Sequence, residues 1–283
     1  MLIAANHPNS FLDAIILSSL FKHDIYPLAR GDAFANTFYS KLLRSLNMLP
    51  VYRISEGAGN LEHNYTTFSE CIHLFKKNGI VLIFSEGRCI NEWHLRPLKK
   101  GTARLAITAW QQGIGLQVMP LGINYSSFRF FGKNVILNFG EAITKESFDE
   151  AIPAGQAINA FNEKLEQLKK LVVEIDPGDK ATIKKIFFIP QSILKKIILF
   201  FPAHIGCILH APLYYPIIAF IRKRANDHYD SIVVGLLFIL YVPYILGLTI
   251  IMYCLTKSLF SLFILLVTPF TAWSYLQLKR QIA

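Results

Sequence analysis

The chain has 283 residues, 53% of them hydrophobic, with a mean hydropathy of +0.37 and a net charge of +10. Four scattered cysteines (Cys71, Cys89, Cys207, Cys254) without a CxxC pair argue against a disulfide framework or a zinc site and fit a reducing compartment. After residue 180 there are ten basic residues against two acidic ones (Asp227 and Asp230), so the basicity belongs to the apolar C-terminal third; that favours an anionic membrane surface over nucleic acid as partner.

In chain order, Leu2–Ala5, Ile25–Ala29, Leu49–Arg53, Ile80–Phe84, Leu116–Leu121 and Val135–Phe139 are apolar runs of strand length. Between them lie helical patterns near Asp13–Phe21, Thr37–Leu46, Glu62–Lys77 and Gly101–Gln112. The alternation predicts an α/β domain, a mixed sheet flanked by helices. Ala157–Glu174 carries an apolar stripe of Ile158, Phe161, Leu165, Leu168 and Val172, which reads as a core-facing helix. Asp176-Pro-Gly-Asp is a turn, and we expect a domain boundary there, with residues 1–178 forming one domain and 179–283 a membrane-associated helical region.

Ser231–Thr256 and Ser258–Leu278 are free of charge, and each is long enough to cross ~30 Å of hydrocarbon as a helix. Only Lys257 separates them, so they read as a transmembrane hairpin over about 231–256 and 258–278. Residues 193–221 contain Pro202, Pro212 and Pro216 and read as a broken interfacial or re-entrant element. Arg222-Lys223-Arg224 and Lys279-Arg280 flank the hairpin; an excess of positive charge marks the cytoplasmic side, so the N-terminal domain is expected there. No signal peptide is visible. A transporter is disfavoured because the spans carry no charge.

Two stretches carry candidate chemistry. In Asn6-His7-Pro8-Asn9-Ser10-Phe11-Leu12-Asp13 a strand gives way to a helix start. Ser10-x-x-Asp13 matches a capping box, so Asp13 reads either as a capping carboxylate or as the partner of His7. In the second reading the carboxylate fixes the tautomer and basicity of His7, which can then deprotonate an alcohol. In Ile80–Cys89 a strand ends in Ser85-Glu86-Gly87-Arg88: Gly87 permits close backbone approach and Arg88 suits a phosphate. Lys99-Lys100-Gly101-Thr102 opens a helix whose N-terminal amides favour anions. The other histidines show no metal-ligand spacing.

Together and in this order these residues resemble the glycerophospholipid acyltransferase superfamily, over roughly residues 1–150. Asn6–Asp13 is similar to its catalytic His…Asp block. Arg30-Gly31-Asp32-Ala33-Phe34 with Asn47–Arg53 is similar to the block whose arginine binds acceptor phosphate. Phe84–Arg88 resembles the Phe-Pro-Glu-Gly-Thr-Arg block, and Val118-Met-Pro-Leu-Gly122 the proline-containing fourth block. Five residues rather than the commoner four separate His7 from Asp13, Ser85 stands where the family has proline, and Arg88 follows Gly87 directly.

The resemblance implies His7 and Asp13 as catalytic residues, and Arg53, Glu86, Gly87, Arg88 and Lys100 as substrate-binding residues. It implies no metal or resident cofactor, acyl-CoA or acyl-carrier protein as co-substrate, and membrane lipids as partners. The acceptor expected is 1-acyl-glycerol-3-phosphate, with glycerol-3-phosphate or an aminolipid as alternatives; an inactive lipid-binding relative is the non-enzymatic alternative. Family members carry further chain ahead of the His block, so the resemblance implies either that Met1 is an internal methionine or that the chain is truncated.

Overall fold

The computed structural model describes residues 1–52, 62–148, 154–222 and 228–279. They fall into two compact units. One comprises residues 1–124 and 135–178; the other comprises 125–134 and 179–283.

The first unit is built on a six-stranded mixed sheet. Its strands are β1 (Leu2–Ala5), β2 (Ile25–Arg30), β3 (Leu49–Val51), β4 (Ile80–Phe84), β5 (Val118–Tyr125) and β6 (Val135–Phe139), in the order β3-β2-β4-β1-β5-β6. The first five run parallel, β1 pairing with both β4 and β5. β6 follows β5 back along the sheet edge, where the amide of Gly140 donates to the carbonyl of Pro120. All four residues of β1 are fully buried. A central parallel strand is covered on both faces, which is why it reads as an unbroken apolar run rather than an alternation.

Helices α1 (Phe11–Leu20), α2 (Thr37–Ser45), α3 (Glu62–Lys76), α4 (Gly101–Gln111), α5 (Ala154–Leu165) and α6 (Leu168–Leu171) accompany the sheet. Leu2, Ala4, Val81 and Ile83 share one core with Ala106 and Trp110 of α4 and Phe161, Leu165 and Leu168 of α5 and α6. The stripe expected on a single helix over 157–174 therefore faces the core, but it is divided between two helices around Glu166-Gln167. Gly122 lies so close to the chain at Leu171 that a Cβ there would stand 2.4 Å from the Leu171 carbonyl oxygen.

In the second unit, α7 (Lys180–Phe187) precedes three long apolar helices: α8 (Ile193–Ile221), α9 (Tyr229–Thr256) and α10 (Ile264–Leu278), the last led in by a 3-10 turn over Leu259–Phe263. Among the described residues three segments, Ile193–Ile221, Tyr229–Thr256 and Leu259–Leu278, are long and apolar enough to cross a membrane, with hydropathies of 1.7, 2.4 and 1.7. The element expected to be broken over 193–221 is instead one continuous helix with its three prolines inside. Each proline removes a single amide donor. A helix otherwise dominated by Ile, Leu and Phe absorbs that loss, as apolar membrane helices commonly do.

Large side chains such as Phe238, Ile250 and Leu266 are exposed on these helices. A continuous apolar exterior of this kind is what lipid covers, and it associates the chain with a membrane. Against α8, the backbone of α10 comes close: a Cβ on Gly206 would lie 2.1 Å from the carbonyl oxygen of Thr271. The β5–β6 connection belongs to this unit too. Lys133 and Asp230 form a buried ion pair, Arg129 lies over the ring of Tyr229, and the Lys279 ammonium sits 4.0 Å from the centre of the Phe130 ring.

Candidate active site

Parallel strands end together, and here the ends of β1 and β4 place the two chemical motifs side by side: Ala5 pairs with Phe84. The crevice beyond the C-terminal ends of parallel strands is where open α/β sheets bind ligands. Just past β1, Asn6 continues the ladder with its side chain. Its amide nitrogen donates to the carbonyl of Ile123 at 3.0 Å and its oxygen accepts from the Ile123 amide at 2.7 Å. The main chain is thereby free to turn away, and His7 stands at the sheet's end.

The Nδ1 of His7 is 2.9 Å from Oδ2 of Asp13, which also accepts from the backbone amide of Asn9 at 2.9 Å. Asp13 is fully buried; the His7 side chain retains 17% exposure. A buried carboxylate at Nδ1 assigns the proton to that nitrogen and leaves the Nε2 lone pair as the basic site. The His7 ring is stacked on Phe84, with centroids 3.8 Å apart and planes 13° from parallel. Two contacts thus fix the imidazole, one in its edge and one on its face.

The capping-box alternative for Asp13 does not form. Ser10 occupies the N-cap position of α1, but at φ 53° and without a side-chain cap bond. A non-glycine residue in that region stores about 1–3 kcal/mol of backbone strain. The amide of Ser10 donates to Sγ of Cys89 at 2.9 Å, and Asn91 Nδ2 donates to the carbonyl of Pro8 at 2.7 Å. The loop after β4 therefore holds the His7 loop at both Pro8 and Ser10.

Glu86 is buried, and both of its oxygens are used by backbone amides. Oε2 accepts from His7 N at 2.6 Å and Oε1 from Arg96 N at 2.7 Å. Burial pushes its carboxyl up, against these two hydrogen bonds, which favour the ionised form. Gly87 turns the chain at φ 64°. Ser85, in the position of the family proline, faces inward: its hydroxyl meets that of Thr102 at 3.0 Å and its carbonyl accepts from Lys99 N at 2.8 Å.

Arg88 and Lys100 are exposed, and their side chains make no hydrogen bond or ion pair with the described residues. Lys100 occupies the N-cap position of α4 without a side-chain cap bond. In the second block, Arg30 is paired with Asp32, and the backbone of Tyr52 is clamped at both N and O by the side chain of Asn64, at 2.8 Å each. Arg53 lies outside the described residues. Among the described residues no group of three His, Cys, Asp or Glu side chains is placed to hold a metal ion. Asn6, Phe84 and Asn91 were not singled out from the sequence. Their contribution is a contact with a partner far along the chain, and nothing local signals it.

The family model described as Acyltransferase matches residues 1–124. No curated protein matches the chain.

Proposed function

We propose a mechanism of acyl transfer for this chain, whose residues 1–124 belong to the glycerophospholipid acyltransferase family and make it an acyltransferase. The observation that carries it is the His7–Asp13 pair, with Nδ1 committed to a buried carboxylate and Nε2 left as base. The Nε2 of His7 takes the proton from an acceptor hydroxyl as its oxygen attacks the carbonyl carbon of an acyl thioester. The C–O bond forms and the C–S bond breaks. The departing thiolate of coenzyme A or acyl-carrier protein recovers the proton from the imidazolium, which Asp13 stabilises in the meantime. No acyl-enzyme, metal or resident cofactor is required, since the thioester is already activated. General-base help of this kind contributes about 10²–10⁴ in rate, the remainder coming from placement of the reactants.

Arg53, Arg88 and Lys100 place the acceptor's phosphate: Arg88 and Lys100 are exposed cations, and Lys100 stands at a helix N-terminus, which favours an anion. Gly87 admits the acceptor close to the backbone. Glu86 supports the site from behind, because both its oxygens are spent on backbone amides. The acceptor is 1-acyl-glycerol-3-phosphate, and the enzyme is bound to the membrane through its apolar helices, where acceptor and product partition. The catalytic unit faces the cytoplasm. The nature of the thioester donors supports this side, as do Lys184 and Lys185 ahead of α8 and Lys195 and Lys196 in its first turn.

An acyl-transfer assay in membranes tests the reading, with lysophosphatidic acid, glycerol-3-phosphate and an aminolipid offered in parallel to the wild type and to His7→Ala. Turnover of lysophosphatidic acid that His7→Ala abolishes supports it. Turnover only of another acceptor replaces the substrate, and an active His7→Ala overturns the mechanism.

A further inference from the structure

Helix α2 has nine residues, and none of them is buried among the described residues. Its side chains are nonetheless sorted. Phe38, Tyr39, Leu42 and Leu46 just beyond its end form one apolar stripe and are 73%, 58%, 49% and 43% exposed. Thr37, Ser40, Lys41 and Arg44 occupy the other side, Ser45 and the half-buried Leu43 border the stripe, and no acidic residue is present. Asn36 caps the helix, accepting from the amides of Phe38 and Tyr39 at 2.9 and 3.3 Å. A helix this short is marginal in water by itself, and a sorted apolar face without a core beneath it calls for another apolar phase.

We propose that α2 is an interfacial helix, lying in the surface of a phospholipid bilayer with Phe38, Tyr39, Leu42 and Leu46 among the acyl chains and Lys41 and Arg44 at anionic headgroups. Charge and position both favour a bilayer over a protein partner. The cations lie on the polar side of the helix without any counter-charge on it, an arrangement complementary to anionic lipid. A bilayer is also the environment with which the three long apolar helices associate this chain. The helix follows β2, which ends at Arg30 on the same side of the sheet as His7. Only β4 separates β2 from β1, a distance of about 10 Å at ordinary strand spacing. An acceptor lipid can therefore present its headgroup to His7 while its chain stays in the acyl layer; that last consequence rests on the acyl-transfer reading, whereas the surface itself does not.

The test uses the full chain in vesicles of phosphatidylcholine and phosphatidylglycerol, with Cys89, Cys207 and Cys254 replaced by serine. A nitroxide is attached to Phe38→Cys, Leu42→Cys or, on the polar side, Thr37→Cys. Labels at 38 and 42 are expected to collide several-fold more with oxygen, and several-fold less with a water-soluble nickel chelate, than the label at 37. Equal chelate access at all three sites overturns the proposal. So do labels shielded from both agents, since a protein segment or a second copy of the chain then covers the face. Tyr39→Cys and Leu46→Cys repeat the measurement if a first variant fails to fold. The readout needs no turnover, so it can fail while acyl transfer stands, and the reverse.

Discussion

The backbone amide of His7 donates to the Glu86 carboxylate at 2.6 Å, joining the loop after β1 to the loop after β4 across 79 residues of sequence. The base is thus positioned through its main chain as well as its side chain. Glutamine at position 86 keeps one acceptor oxygen but turns an NH2 group toward one of the two amides. An unsatisfied buried amide costs about 1–3 kcal/mol. Glu86→Gln is expected to lower kcat with little change in KM for either substrate. A rise in KM alone would mean that Glu86 binds substrate instead.

The same carboxyl links stability to pH. Burial raises its value in the folded chain, so it adds stability below the ordinary unfolded value of about 4.3, and that contribution disappears as pH rises through the raised value. Glutamine removes the titration. The advantage of the wild type over Glu86→Gln in thermal unfolding is expected to narrow as pH is raised from about 4 upward. A gap that stays constant or widens contradicts the sign.

Loss of the base or of its partner is separable from loss of fold. His7→Ala is expected to reduce kcat/KM by about 10²–10⁴ with the melting temperature nearly unchanged, because His7 is partly exposed and makes one side-chain hydrogen bond. Asp13→Asn is expected to be comparably inactive and also less stable, since Asp13 is fully buried and accepts from Asn9 as well. A stable, active Asp13→Asn would remove the pair from the mechanism.

Arg88 and Lys100 are exposed and without partners among the described residues, so neither holds the fold together. Arg88→Ala and Lys100→Ala are each expected to raise KM for a phosphate-bearing acceptor about 10-fold, the effect of losing a charge-assisted hydrogen bond, with unchanged unfolding. An equal effect on an acceptor that lacks phosphate would count against this role.

Within the helical unit, Gly206 and Gly235 make a matched comparison. A methyl group at 206 would strike the backbone of Thr271, whereas at 235 it would meet nothing within 4 Å. Gly206→Ala is expected to destabilise the pairing of α8 with α10 by about 1–3 kcal/mol, and Gly235→Ala to be neutral or slightly stabilising. Unfolding in detergent with a graded denaturant distinguishes them.

Much of the sheet was legible because its central strands are buried on both faces: Leu2–Ala5 and Ile80–Phe84 are strands at the bounds read from their apolar runs, and so is the half-buried edge strand Val135–Phe139. The Ser10–Asp13 spacing suits a capping box and a histidine partner equally well. Only the rotation of Ser10 into positive φ, with Asn9 N turned onto Asp13, separates the two. Periodicity did not show the break between α5 and α6, because Leu165 and Leu168 remain buried on either side of it. Three prolines suggested a break in α8 that the helix does not make, since proline preference reports local cost and not the surroundings that offset it. The exposed stripe of α2 looks, in sequence alone, like any core-facing stripe.

The chain passes between its two units three times, after residues 124, 134 and 178. They are stitched rather than strung, so trimming the C-terminus cannot free a clean soluble fragment. Cutting after Gly178 would leave ten residues, 125–134, deprived of Tyr229, Asp230 and Lys279, with the buried ammonium of Lys133 stranded. A workable excision must also replace that loop with a short turn joining β5 to β6. By the same token, a protease that nicks only the 178–179 junction breaks the last covalent link between fragments 1–178 and 179–283 but leaves residues 129–133 in contact with Tyr229, Asp230 and Lys279, so the fragments stay together without a covalent bond.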